Sequence, residues 1–320
     1  MAKKKKTAVA VPADDGEAFV RSLDEFDASD GETVKKKAKH KCFNILSIAF
    51  IAICAAVLVV CLILIFNNLS DKERGEEVYD EAASIFIPPS AANASGTQGD
   101  ARVPTPYEMI SGIYRGEDPS SSAASADLSS VRASLSSLKE KNPDVVGWIS
   151  VEGTKINYPL MRSSNGNDDY YLTHAYNGEY LAVGSIYMVS ECDVKLDNNY
   201  NTLIYGHNVV NGAMFHDVMK FLDPEFFRTK IYIYTLDGIY VYQPFSIYRT
   251  QSDYNYIQTY FGSESEFLRF AAEMKSNSEI PSDLSIESGD TMITLSTCTG
   301  TGVVSNARYS LHAKLVEFID

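Results

Sequence analysis

The chain has 320 residues, a formal net charge of −14 and a pI near 4.8, so it lacks the basic field that a general nucleic-acid binder needs. Hydrophobic residues at 45% and charged residues at 22% exclude a disordered or collagen-like chain. Five cysteines are too few for a disulfide scaffold, and the lack of a Cys-x-x-Cys pair gives no support to a structural zinc site.

The charge is unevenly placed. Residues 1–41 hold ten Lys/Arg against eight Asp/Glu, a surplus of +2, while the remainder holds 18 against 34, a balance of −16. Between them Cys42 to Ser70 is uncharged, and Ile48 to Phe66 is unbroken apolar sequence. A helix over residues 43–66 would span about 36 Å, enough for a hydrocarbon core of about 30 Å. This predicts a transmembrane helix over residues 42–67. A cleaved signal peptide fits poorly, because its apolar region is shorter and Asn67-Asn68-Leu69 makes a poor cleavage exit. Lys35, Lys36, Lys37, Lys39 and Lys41 precede the helix, which predicts a cytoplasmic tail at 1–41 and an outward C-terminal portion.

Residues 68–126 read as a flexible spacer, with a short helix over 71–86 and a stretch rich in Ser, Ala, Gly and Pro from 88 onward. Order returns near Asp127. Leu128, Val131, Leu135 and Leu138 share one helix face, and Asn142-Pro143 ends it. Eight runs rich in β-branched and aromatic residues follow: Val145–Val151, Lys155–Leu160, Ser185–Val189, Thr202–Tyr205, Lys230–Thr235, Ile239–Tyr248, Thr291–Ser296 and Arg308–Phe318. Asp237-Gly238 marks a hairpin. Ser263-Glu264-Ser265-Glu266 is a capping box opening a helix that presents Phe267, Phe270, Ala271 and Met274. Eight strands in residues 127–320 predict a mainly β fold closed into one barrel, with an N-terminal helix and one inserted helix.

Two cysteines lie beyond the membrane segment, Cys192 and Cys298. Cys298 ends a predicted strand before a Gly-rich loop, where a thiol can meet a substrate. Cys192 reads as a partly buried free thiol. A nucleophilic thiol needs a proton acceptor or a cationic neighbour. Among the four histidines after the membrane segment His207 leads, because it also follows a strand and Gly206 permits close approach. His174 and His216 sit in polar, surface-like contexts, and His312 lies within the last strand. Arg308 opens the strand after the Cys298 loop, so a hairpin would set it beside Cys298 as a donor for a developing oxyanion.

Thr-Leu-Ser-Thr-Cys at 294–298, Asn306-Ala307-Arg308 and Ile-Tyr-Gly-His-Asn at 204–208 together resemble the signature of class B sortases. Asn142 to Trp148, Ile156 to Pro159, Tyr170 to His174 and Gly212 to Phe215 resemble that family in the same order, over roughly residues 127–320. The resemblance implies a membrane-anchored cysteine transpeptidase of Gram-positive bacteria that needs no cofactor. Cys298 would be the nucleophile, His207 the general acid/base and Arg308 the oxyanion or substrate-orienting cation. Ser296 would support substrate contact, and Tyr254 would match a groove tyrosine. The groove's usual Asn falls at Asp168, with Asn167 adjacent. Implied partners are secreted proteins with a C-terminal sorting signal of Asn-Pro-x-Thr or Ser/Leu-Pro-x-Thr type, and a peptidoglycan precursor or cross-bridge amine. A thiol near 8.5 paired with an imidazole near 6.5 would hold the thiolate–imidazolium form at about 1%, giving a bell-shaped pH–rate profile. The alternatives are a pilin-polymerising sortase, a Cys/His wall peptidase that hydrolyses, and a membrane-tethered binding module. An L,D-transpeptidase motif differs around Thr297-Cys298-Thr299-Gly300, and in papain-like enzymes Cys precedes His.

Overall fold

Helix α1 (Ala28–Ile85) is a single continuous helix in the computed structural model, which describes residues 28–86, 121–300 and 306–320. The chain divides into two compact units, Met1–Asn67 and Asn68–Asp320. In the first, Ile48 to Phe66 forms an apolar helix whose large side chains are all exposed. Among the described residues Ser47–Ile85 is the one helical segment long and apolar enough to cross a membrane.

In the second unit the short helix expected over 71–86 is the last part of α1, and it is no spacer. Val78, Ala82 and Phe86 fall four residues apart with Tyr79 beside the first, and all four are buried in the main core. Phe86 stacks on Trp148 at 4.4 Å and meets Tyr234 edge-on. The Tyr79 hydroxyl donates to the Gly184 carbonyl, and Arg74 grips Glu179 through two nitrogens. The Ser/Pro-rich stretch from 88 to 120 lies outside the described residues.

Helix α2 (Ser121–Lys141) buries Leu128, Val131, Leu135 and Leu138, the face its spacing predicts. Eight strands follow: β1 (Val145–Val151), β2 (Asn157–Met161), β3 (Ile186–Met188), β4 (Asn201–Tyr205), β5 (Ile231–Tyr234), β6 (Ile239–Gln251), β7 (Met292–Cys298) and β8 (Ala307–Ile319). They close into a barrel in the order β1-β2-β3-β4-β7-β8-β6-β5, as the eight apolar runs predict. Two neighbour pairs, β2–β3 and β4–β7, are parallel, and the other pairs are antiparallel.

Helix α3 (Glu264–Ser276) lies between β6 and β7 in sequence. Its capping box is present in altered form. Ser263 Oγ accepts from the Glu266 N–H, and the Glu266 carboxylate reaches back to the Gly262 N–H, one residue before the cap. Phe267, Phe270 and Met274 of α3 pack with Phe245, Tyr248 and Met292 into a second core outside the barrel wall. Strand β7 is therefore buried on both faces, with Ile293 and Leu295 in the main core and Met292 beneath α3. A strand covered on both sides reads as a continuous buried run rather than an alternating one.

Phe86→Ala removes a fully packed ring from above Trp148 and is expected to cost about 3–5 kcal/mol. Chemical denaturation of the whole protein in detergent checks this, and a loss under 1 kcal/mol would show that the helix merely rests on the barrel.

Candidate functional site

Strands β4 and β7 run parallel with Tyr205 opposite Ser296, and the Gly206 N–H donates to the Ser296 carbonyl at 3.2 Å. Two residues further along each strand come His207 and Cys298, which therefore leave the barrel at the same rim. A side chain at position 206 has no room, since a Cβ there would lie 2.6 Å from the Phe215 ring. On the other side β8 runs antiparallel to β7 and sets Arg308 directly opposite Cys298. Cys298, His207 and Arg308 are each half-buried.

Successive strand residues point to opposite faces. Ser296 and Cys298 therefore share a face with Tyr205 on β4 and with Arg308 and Ser310 on β8. Tyr256 covers this face from the β6–α3 connection, its hydroxyl 2.9 Å from Ser296 Oγ. Burial is the main force on both tyrosines, pushing the Tyr205 hydroxyl up to about 12 and raising that of Tyr256. The Arg308 charge pulls both hydroxyls the other way, and Cys298 acts on Tyr256. Tyr205, Tyr256, Ser296, Cys298 and Arg308 thus form one electrostatic neighbourhood.

His207 Nε2 lies 2.8 Å from the Leu172 carbonyl. A carbonyl only accepts, so this partner assigns the proton of the neutral imidazole to Nε2.

The remaining expected residues divide. Ser296 is at the site and fully buried. Tyr254 is not held there: its hydroxyl bonds Glu273 of α3 and accepts from Asn277 Nδ2 at 2.9 Å. Tyr256, two residues on, is the tyrosine that reaches Ser296. Asp168 spends one carboxylate oxygen on the Ser190 N–H at 2.9 Å, yet its charge is felt at the Tyr205 hydroxyl. Asn167 is exposed on the preceding turn, where its N–H is held by Ser163 and Asn165.

The other histidines are engaged elsewhere. His174 stacks on Tyr170 at 3.9 Å. His216 is nearer the site than its polar context indicates, because its Nδ1 lies 2.7 Å from Asn208 Oδ1. His312 is fully buried, bonded to Thr294 and Ser310, and burial pushes it down to about 3. Cys192 is a buried free thiol that burial pushes up to about 11, and Cys298 is also free.

The chain is 35% identical over 191 residues to sortase B of Listeria monocytogenes, covering 58% of this chain and 75% of that protein. It is 35% identical over 190 residues to sortase B of Staphylococcus aureus, covering 58% and 76%. The profile of the sortase domain family matches residues 149–316, slightly more than half of the chain. This chain belongs to the class B sortases. The fold of this sortase agrees. It resembles the crystal structure of B. anthracis sortase B in complex with AAEK1 (TM-score 0.57, 32% identity, 78% of this chain and 99% of that one). It also resembles the S. aureus sortase B–substrate complex (TM-score 0.59, 26% identity, again 78% and 99%).

His312 gives the protein an acid-sensitive core. The folded chain keeps it neutral down to about pH 3, whereas the unfolded chain takes up a proton below about pH 6.5. Its contribution is fully present above that value and is lost as pH falls from about 6.5 toward 3, by at most about 1.4 kcal/mol per pH unit. His312→Gln is therefore expected to flatten the fall in stability between pH 7 and 4. Denaturant midpoints across that range check it, and an unchanged slope would refute it.

Proposed function

We propose that this sortase cleaves a Thr-containing sorting pentapeptide of secreted proteins through a Cys298 thioester and passes the acyl group to a cell-wall amine. The observation that carries this reading is the opposition of Cys298 and Arg308 at the rim where His207 emerges. The Cys298 thiolate attacks the carbonyl that follows the Thr side chain. Arg308 balances the charge of the tetrahedral oxyanion. The intermediate collapses as protonated His207 gives its proton to the leaving amine. The acceptor amine then attacks the thioester, His207 takes its proton, and Cys298 leaves as the thiolate, which restores the thiolate–imidazolium pair. The covalent intermediate divides one difficult amide exchange into two easier steps.

Tyr205, Ser296 and Tyr256 line the face beside the thiol, and we assign them the contacts to the peptide. Asp168 is assigned a place at the edge of this groove. The lysines at 35–41 and the exposed apolar helix support a single-pass anchor with the N-terminus inside and the catalytic unit outside.

Screening Thr-containing pentapeptides with the whole protein tests the assignment. Cys298→Ala is expected to abolish cleavage, and Arg308→Lys to lower kcat about 10²–10³-fold. Loss of the Ser296 partner in Tyr256→Phe is expected to cost about two- to tenfold, while Tyr254→Phe stays near wild type. Amide products that form only with added amine support transfer, and acid products at saturating amine would show a hydrolase. Cleavage that survives Cys298→Ala would refute the assignment outright.

A further inference from the structure

The β4–β7 ladder ends one rung short of the reacting residues. Its last backbone bond runs from the Gly206 N–H to the Ser296 carbonyl. Continued in parallel register, the next bond donated from the β4 side would run from the residue 208 N–H to the Cys298 carbonyl. Instead the Asn208 side chain supplies that rung: its Nδ2 donates to the Cys298 carbonyl at 2.9 Å. The backbone is thereby released to turn, and the His207 carbonyl accepts from the Phe215 N–H at 2.8 Å.

The amide cannot face the other way. The Cys298 carbonyl only accepts, so the amide nitrogen must point at it and Oδ1 must point at His216. His216 then carries its proton on Nδ1 and donates it at 2.7 Å. Asn208 is 8% exposed, and it forms a bridge with Met214. Met214 sits at φ 56°, a left-handed conformation that a residue with a side chain adopts at a cost. That turn brings His216 back over Asn208. His216, Asn208 and the Cys298 main chain therefore form one directed chain of hydrogen bonds next to His207.

We propose that Asn208, oriented by His216, is a positioning residue that fixes the Cys298 main chain relative to His207, so that thiol and imidazole meet in register. This rests on the reading of Cys298 and His207 as the reacting pair.

The test measures kcat and KM on the Asn-Pro-x-Thr pentapeptide that the wild type cleaves fastest, for wild type, Asn208→Ala, Asn208→Asp and His216→Phe. Enzyme concentration is set by titration of the Cys298 thiol, and folding is followed by thermal melting. Asn208→Ala is expected to lower kcat about tenfold or more with KM within about twofold. Asn208→Asp is expected to be slower still, because it keeps the shape but aims an acceptor at an acceptor. A packing role gives the reverse order, since Ala leaves a cavity and Asp does not. Wild-type kcat in either variant, a loss confined to KM, or Ala slower than Asp overturns the proposal. If neither Asn208 variant folds, His216→Phe at its half-buried position decides, with kcat expected to fall about threefold at constant KM and an unchanged kcat overturning the idea. A wild type that cleaves no pentapeptide removes the functional reading and this proposal together. Full-rate Asn208 variants alongside an active wild type remove only the proposal.

Discussion

Parallel pairing of β4 with β7 brings His207 and Cys298 to one rim of this barrel. Parallel neighbours cannot be joined by a tight turn, so the chain must travel from one to the other through a long excursion. Here it runs from Tyr205 to Met292 and contains β5, β6 and α3. The result is that two strands far apart in sequence end at the same rim, β7 on Cys298 itself and β4 two residues before His207. The antiparallel return of β8 then adds a cation with a register fixed by seven successive strand pairs. Cys298 and Arg308 stand within their strands, and His207 follows β4 by two residues.

The same excursion supplies the cover over one face of β7. Helix α3 buries its aromatic stripe on the outer face of β7, and this second core carries Tyr256 to Ser296. Packing and site are thus continuous: the side chains of β7 that face α3 are, going up the strand, apolar Met292, the hydrogen-bonded Thr294 and Ser296, and finally Cys298. Polar groups enter gradually as the cover thins. Tyrosine hydroxyls beside a guanidinium give a face that is apolar in area yet marked by polar groups at a few points.

Most of the strands were legible because β-branched and aromatic runs separated by Gly, Asn and Asp leave little choice of secondary structure. All eight appear within a few residues of their expected bounds, and the hairpin argument alone set Arg308 beside Cys298. The groove was less legible. Tyr254 and Tyr256 lie in a connection without periodic pattern, and only the packing of α3 decides that the first turns to Glu273 and the second to Ser296. Asn208 and His216 were hidden for a similar reason, since their meeting depends on the left-handed turn at Met214. The helix over 71–86 was legible, but its packing into the core was concealed by charge. Asp71 to Glu81 is rich in acidic and basic residues, which masked the buried stripe of Val78, Ala82 and Phe86.

The chain contains one tryptophan, and it is the residue under Phe86. Trp148 donates its indole N–H to Asn157 and is wholly shielded from solvent, with an aromatic ring of the juxtamembrane helix lying flat upon it. Its fluorescence therefore belongs to a single place, the seam between the end of the long N-terminal helix and the barrel. The molecule carries its own optical gauge of that seam, readable in a vesicle or a living envelope without any added label.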